Sequence, residues 1–204
     1  MIFLNPLYQQ VAQTYATRIN HFPLIRLIFY SLDKTLFYFL VYCVLRGLWW
    51  IIRGRQKHAF SFKHELLLAV FVIYLLLLFT LTVFRGIYFP WQIDWSQHQQ
   101  LWQINTIPLR ETLKLWQGKS KLDFFYNLFG NIVWFVPFGF LFPRLKQDKR
   151  RGAIQTIFLG ACLSLSIETL QFFINTGVAD VDDLIFNTIG AAVGYWLYRK
   201  FSKK

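Results

Sequence analysis

Charged side chains are scarce in this chain. Only 16% of its 204 residues are Asp, Glu, Lys or Arg, against about 25% in soluble domains. The shortage falls on the acids, with 10 Asp and Glu against 22 Lys and Arg. Cysteine is nearly absent: Cys43 and Cys162 both lie inside apolar runs and read as small core residues, which excludes a disulfide framework. The four histidines, His21, His58, His64 and His98, are scattered without ligand spacing. No fixed spacing among the acids supports a metal site either, so neither metal nor cofactor is expected. The opening MIFLNPLYQQ lacks the basic segment and apolar core of a signal peptide. No internal repeat is visible, which disfavours an inverted-repeat transporter.

What the chain has is apolar surface. It is 55% hydrophobic and 20% aromatic, with 23 Phe and 8 Trp. The stretch 66–84 (LLLAVFVIYLLLLFTLTVF) has no charge and nearly the ~20 residues that a bilayer core requires. Further spans are read at 35–52, 125–142, 153–174 and 183–200. The first of these follows an interruption at Asp33-Lys34. Arg46 is expected to snorkel from it, and Trp49-Trp50 to sit in an aromatic belt. Pro137 is expected to kink the third span and Pro143 to end it. The loop 85–124, holding Trp91, Trp95, Trp102 and Trp116, suits the headgroup layer, with a short amphipathic helix after Pro108. The fold class is therefore all-α, a polytopic transmembrane bundle of about five spans.

The net charge of +12 would suggest nucleic acid in a soluble chain. Here the charges sit between apolar runs, so membrane lipid headgroups are the better partner and nucleic acid is not expected. Lys and Arg number four in 53–65, five in 144–151 and four in 199–204, but none in 175–182. The positive-inside rule then puts the C-terminus in the cytoplasm and the N-terminus outside, as expected of a multi-pass cell-membrane protein.

That orientation gathers the polar residues of the last three spans. At ~1.5 Å per residue, Asn131 and Glu168 lie roughly 9 Å below the outer ends of their helices, and Asn187 about 6 Å below Asp183. Asn127 and Asn131 share one face, Glu168 and Gln171 a second, and Asp183 and Asn187 a third. The expected result is a polar cup open to the outside and rimmed by Asp180 and Asp182. Asn127, Asn131, Gln171 and Asn187 are equally explained as interhelical hydrogen-bonding residues. Glu168 is the only carboxylate deep in the last four spans, which reads as functional, and Arg110 is its expected partner. Asp180, Asp182 and Asp183 also read as solvated surface, with Asp183 a candidate helix cap. Gly190 and Gly194 (GAAVG) form a close-packing face, with Gly130, Gly139 and Gly160 as candidates for the same use.

The strings NLFGNIVWFVPFGFLFP, SIETLQFF and DVDDLIFNTIGAAVGY, preceded by INTIPLRETL, resemble the VanZ-like family. The resemblance covers about residues 70–200, and suggests an N-terminal arm and first helix over 1–65 and a VanZ-like membrane domain over 66–204. Val178 stands where the family often has arginine. The resemblance implies a bacterial envelope membrane protein, whose founding relative is linked to low-level teicoplanin resistance, and names no reaction. Two functions follow. One is binding of an outer-leaflet, lipid-linked cell-wall precursor or lipoglycopeptide at Asn127, Asn131, Glu168, Gln171, Asp180, Asp183, Asn187 and Arg110. The other is an intramembrane enzyme using a carboxylate as acid/base on a lipid headgroup. No nucleophile–base pair accompanies the carboxylates, so the sequence leaves catalysis open.

Overall fold

The computed structural model describes residues 1–16, 18, 22–53, 61–96, 99–100, 104–118, 121–146 and 152–202. Most of the two basic loops read from sequence, at 54–60 and 147–151, lies outside these. Seven α-helices and no strand occur among the described residues: α1 (Asn5–Tyr15), α2 (Phe22–Arg53), α3 (Phe62–Thr82), α4 (Arg110–Gln117), α5 (Lys121–Leu145), α6 (Gly152–Ile174) and α7 (Val181–Ser202). Four are long and apolar enough to cross a membrane, over Phe22–Ile52, Phe62–Thr82, Asn127–Leu145 and Gly152–Ile174. The fifth expected span, α7, has the length, at 22 residues. Its first turn carries Asp182 and Asp183 and its last carries Arg199 and Lys200, so it is less apolar than the other four.

Burial runs opposite to that of a water-soluble protein. Among the described residues thirteen polar or charged side chains are buried against eleven hydrophobic ones. Val44, Ile52, Phe62, Val133, Ile154, Phe158 and Trp196 are exposed. Polar inside and apolar outside is what a hydrocarbon solvent selects.

The chain forms two compact units, Met1–Ile93 and Asp94–Lys204. In the first, α2 does not begin at residue 35. It runs unbroken from Phe22, because Asp33 and Lys34 have partners inside the protein, where they are 0% and 1% exposed. Asp33 accepts the backbone N–H groups of Ile2, Phe3 and Leu4 at 2.6–2.7 Å and the Tyr88 hydroxyl at 2.7 Å. Lys34 donates to the carbonyls of Phe84 and Ile87, just past the end of α3. A carboxylate on three backbone amides and an ammonium on two backbone carbonyls satisfy both charges without water.

Ser31 and Thr35 meet Thr80 across α2 and α3, at 3.2 and 3.3 Å. Arg46 does not snorkel: Nε and Nη2 donate to the two carboxylate oxygens of Glu65 at 3.0 and 2.7 Å. This fork, partly exposed on both sides, is expected to contribute about 1 kcal/mol. Glu65→Gln should lower the unfolding free energy in detergent by that amount. Adding Arg46→Gln should cause little further loss, and additive losses in the double variant would show that the two side chains do not couple.

In the second unit α5 stays helical through Pro137 and ends at Leu145, two residues past Pro143. Each proline removes one amide donor, and near Leu145 the helix is ending anyway. The α5–α7 contact is backbone to backbone. A Cβ added to Gly190 would lie 2.2 Å from the Ile132 carbonyl oxygen, and one on Gly194 2.1 Å from that of Val136. From the other side, a Cβ on Gly139 would lie 2.0 Å from the Ala191 oxygen. Gly160 of α6 admits Ala191, whose Cβ would be 2.6 Å from an added one. Gly130 has open space around it and takes no part in this packing, because it points away from α7.

Candidate functional site

The N-terminus of α7 is where α4, α5 and α6 meet. It is prepared by a chain reversal after α6. Asn175 takes the left-handed conformation (φ 58°) that asparagine tolerates, with Thr176 N–H on the Gln171 carbonyl at 3.0 Å and Asn175 N–H on that of Phe172 at 3.4 Å. This pair of bonds is a Schellman stop. The segment around Asn105 then pairs with the chain entering α7: Asn105 N–H donates to Ala179 and Val181 N–H to Asn105, each at 3.0 Å.

Three aspartates divide the work at this junction. Asp180 caps α7, its Oδ1 accepting Asp182 N–H at 2.8 Å and the Asn105 amide at 2.7 Å. Asp183, a candidate cap by sequence, lies one turn further on because the helix starts earlier. Burial pushes the Asp180 carboxyl above its usual range, while the Asp182 N–H and the Asn105 amide pull it down. Asp182, a solvated rim residue by sequence, is 1% exposed. Its Oδ1 accepts Leu109 N–H, and its Oδ2 accepts Thr112 N–H at 3.2 Å and the Thr112 hydroxyl at 2.7 Å. This carboxylate, itself in the first turn of α7, thus binds the N-terminus of α4, the electropositive end of that helix. Leu109 is held at φ 64°, a conformation uncommon for a branched side chain. Asp183 accepts from the Asn131 amide, which also donates to Asn127 Oδ1 at 3.1 Å, and so joins α7 to α5.

Glu168 approaches the junction from α6. It is 6% exposed, and its Oε2 accepts Asp180 N–H at 3.0 Å. Its second oxygen has no hydrogen-bond partner among the described residues. Arg110, its expected partner, is exposed in the first turn of α4. The ion pairs among the described residues are Arg46–Glu65 and Lys114–Glu111. Arg110 is aimed outward because Asp182 takes the α4 amides and fixes that helix by its backbone. Gln171 is buried beneath the reversal against Gly177, where an added Cβ would lie 3.1 Å from its amide carbon.

Asn187 belongs to a lower layer. It is buried and donates to Ser164 Oγ at 2.9 Å, tying α7 to α6. Ser164 precedes Glu168 by one helical turn, the signal that could have marked it. Asn105 and Thr112 also lay unremarked inside INTIPLRETL. Ser164→Ala is expected to lower stability by about 1 kcal/mol, read as a fall in the unfolding midpoint. An unchanged midpoint would remove this bond from the packing account.

Residues 71–202 match the profile of a family described as VanZ/LLP1. The chain belongs to the VanZ/LLP1 family. Protein VanZ of Enterococcus faecium is 34% identical to it over 74 residues, which is 36% of this chain and 45% of that relative. The match therefore spans under half of the relative's length. No solved structure matches. Every residue of the VanZ-family junction, from Asn105 to Asn187, falls inside the matched region. Four spanning-length apolar helices and this membership make the chain a membrane protein.

Proposed function

We propose that this VanZ-family protein is a multi-pass protein of the bacterial cell membrane whose α7 junction faces outward and binds a lipid-linked, donor-rich ligand. The ligand class is a cell-wall precursor or a lipoglycopeptide, and binding contributes to resistance of the teicoplanin type. One observation carries the reading. Glu168 is buried, with one oxygen on a backbone amide and no basic partner among the described residues, so a ligand hydroxyl, amide or ammonium is the group that fits its second oxygen. Asp183, Asn131 and Asn127 offer further polar groups on the adjoining helices. The exposed Leu113 and Trp116 of α4 suit the headgroup layer beside it. The orientation rests on the basic residues of 144–151 and 199–204, against none in 175–182.

The test is susceptibility of a glycopeptide-sensitive Gram-positive host expressing the chain. The inhibitory concentration of teicoplanin should rise several-fold, and that of a glycopeptide without an acyl chain should rise less. No change in either contradicts the reading. A second reading, acid/base chemistry on a lipid headgroup, draws on the buried Glu168 carboxyl held beside Asp180. Lipid turnover by the purified protein, lost in Asp183→Asn, would favour it.

A further inference from the structure

The opposite end of the α5–α7 bundle holds a second feature, unrelated to the α7 junction. The last turns of α5 and α7 and the first turn of α6 line an open-mouthed pocket of about 170 Å³. Two cations line it, Lys146 and Arg199, and no acid does among the described residues. Gln155, Tyr195 and Ser202 bring an amide and two hydroxyls to the same space, over a floor of Phe142 and Pro143. Lys146 spends one of its three donors on Gln155 Oε1. Arg199 has no hydrogen bond or ion pair among the described residues.

Basic residues at helix C-termini also complement the carbonyl ends of those helices. Arg144 has that place on α5, stacked over Phe140 at 3.6 Å, and Lys200 lies over Trp196 at 5.4 Å. Lys146 and Arg199 do something different. They line one pocket from the C-terminal ends of α5 and α7, together with neutral donors, which dipole compensation does not require. The volume accommodates a phosphate with part of its linker.

We propose that this cavity binds the phosphate of an anionic phospholipid. Cations and hydroxyls without a competing carboxylate are the chemistry that selects phosphate over zwitterionic or cationic groups. The lipid, rather than a free anion, is favoured by the apolar surface of the same helices. Ile154, Phe158, Trp196 and Phe201 of α6 and α7 are 58–77% exposed, which offers acyl chains an apolar surface.

The experiment uses the purified full chain in detergent, titrated with phosphatidylglycerol, phosphatidylcholine and inorganic phosphate. The readouts are the unfolding midpoint and retained lipid by native mass spectrometry. Phosphatidylglycerol should raise the midpoint by several degrees and be retained, phosphatidylcholine much less, and millimolar phosphate not at all. Lys146→Gln/Arg199→Gln should weaken phosphatidylglycerol binding roughly thirtyfold. Arg85→Gln/Lys114→Gln, which removes the same charge from exposed sites elsewhere, should bind as the wild type does. If the first double variant does not fold, Ser202→Trp, placed at the mouth, should block binding by volume alone. An equal shift from inorganic phosphate would overturn the lipid assignment. Undiminished phosphatidylglycerol binding in both Lys146→Gln/Arg199→Gln and Ser202→Trp would overturn the site.

Discussion

Gly190→Leu and Gly194→Leu are each expected to abolish folded protein, and Gly190→Ala to lower its unfolding midpoint sharply. The reason is the absence of space for a single methyl group. A Cβ at either position would overlap a carbonyl oxygen of α5 at 2.1–2.2 Å, and Gly139 meets the α7 backbone in the same way. The atoms in the way are backbone, so relief requires the helices to separate. That breaks the interface on which Asn131 and Asp183 depend. Overpacking a core commonly costs about 1–3 kcal/mol. Separating two helix backbones belongs at or beyond the top of that range, against a total stability of about 5–15 kcal/mol.

The sign of the alanine effect is diagnostic. In an open helix Gly→Ala stabilises by up to about 1 kcal/mol, and Gly130, with open space around it, should show that gain. A Gly190→Ala protein with an unchanged or higher midpoint would contradict the packing.

Asp182→Ala should be the most damaging substitution among the polar residues. It strips three hydrogen bonds from one buried carboxylate. The amides of Leu109 and Thr112 are left without an acceptor, at about 1–3 kcal/mol each. Leu109 also loses the bond that holds it at φ 64°, a conformation that relaxes once the restraint is gone. The damage should be local. Hydrogen exchange at Leu109 and Thr112 should accelerate and 104–118 should become sensitive to protease, while α5 to α7 stay protected through their glycine packing. Asp182→Asn should fall between, because one oxygen remains an acceptor. Wild-type protection of the Leu109 and Thr112 amides in Asp182→Ala would show that α4 is anchored by something else.

The helices were legible in the sequence because long uncharged runs have one stable form in lipid, where every backbone group must be satisfied internally. The packing face at Gly190 and Gly194 was legible for a similar reason, since its spacing has a single geometric use. What sequence hid was the partner of each buried charge. Asp33-Lys34 looked like a break in an apolar run. Each finds backbone partners far along the chain, so α2 passes straight through them. Arg110 looked like the counter-charge for Glu168, because an arginine near a lone carboxylate is the simplest pairing. The backbone of α7 supplies the donor instead. Asp182 looked solvated because it lies in an acidic loop. The N-terminus of α4 converges on it from 70 to 73 residues away, and contact over that separation leaves no local trace.

The most direct test is Glu168→Gln, which keeps the size of the side chain and removes its carboxyl group. The Gln carbonyl oxygen still accepts Asp180 N–H, so the protein should reach the membrane at wild-type level with an unchanged unfolding midpoint. Its binding of a teicoplanin-type lipoglycopeptide, and any resistance it confers, should be lost. Full binding and resistance in a normally expressed Glu168→Gln protein would contradict the account and leave Glu168 as part of the bundle's internal packing.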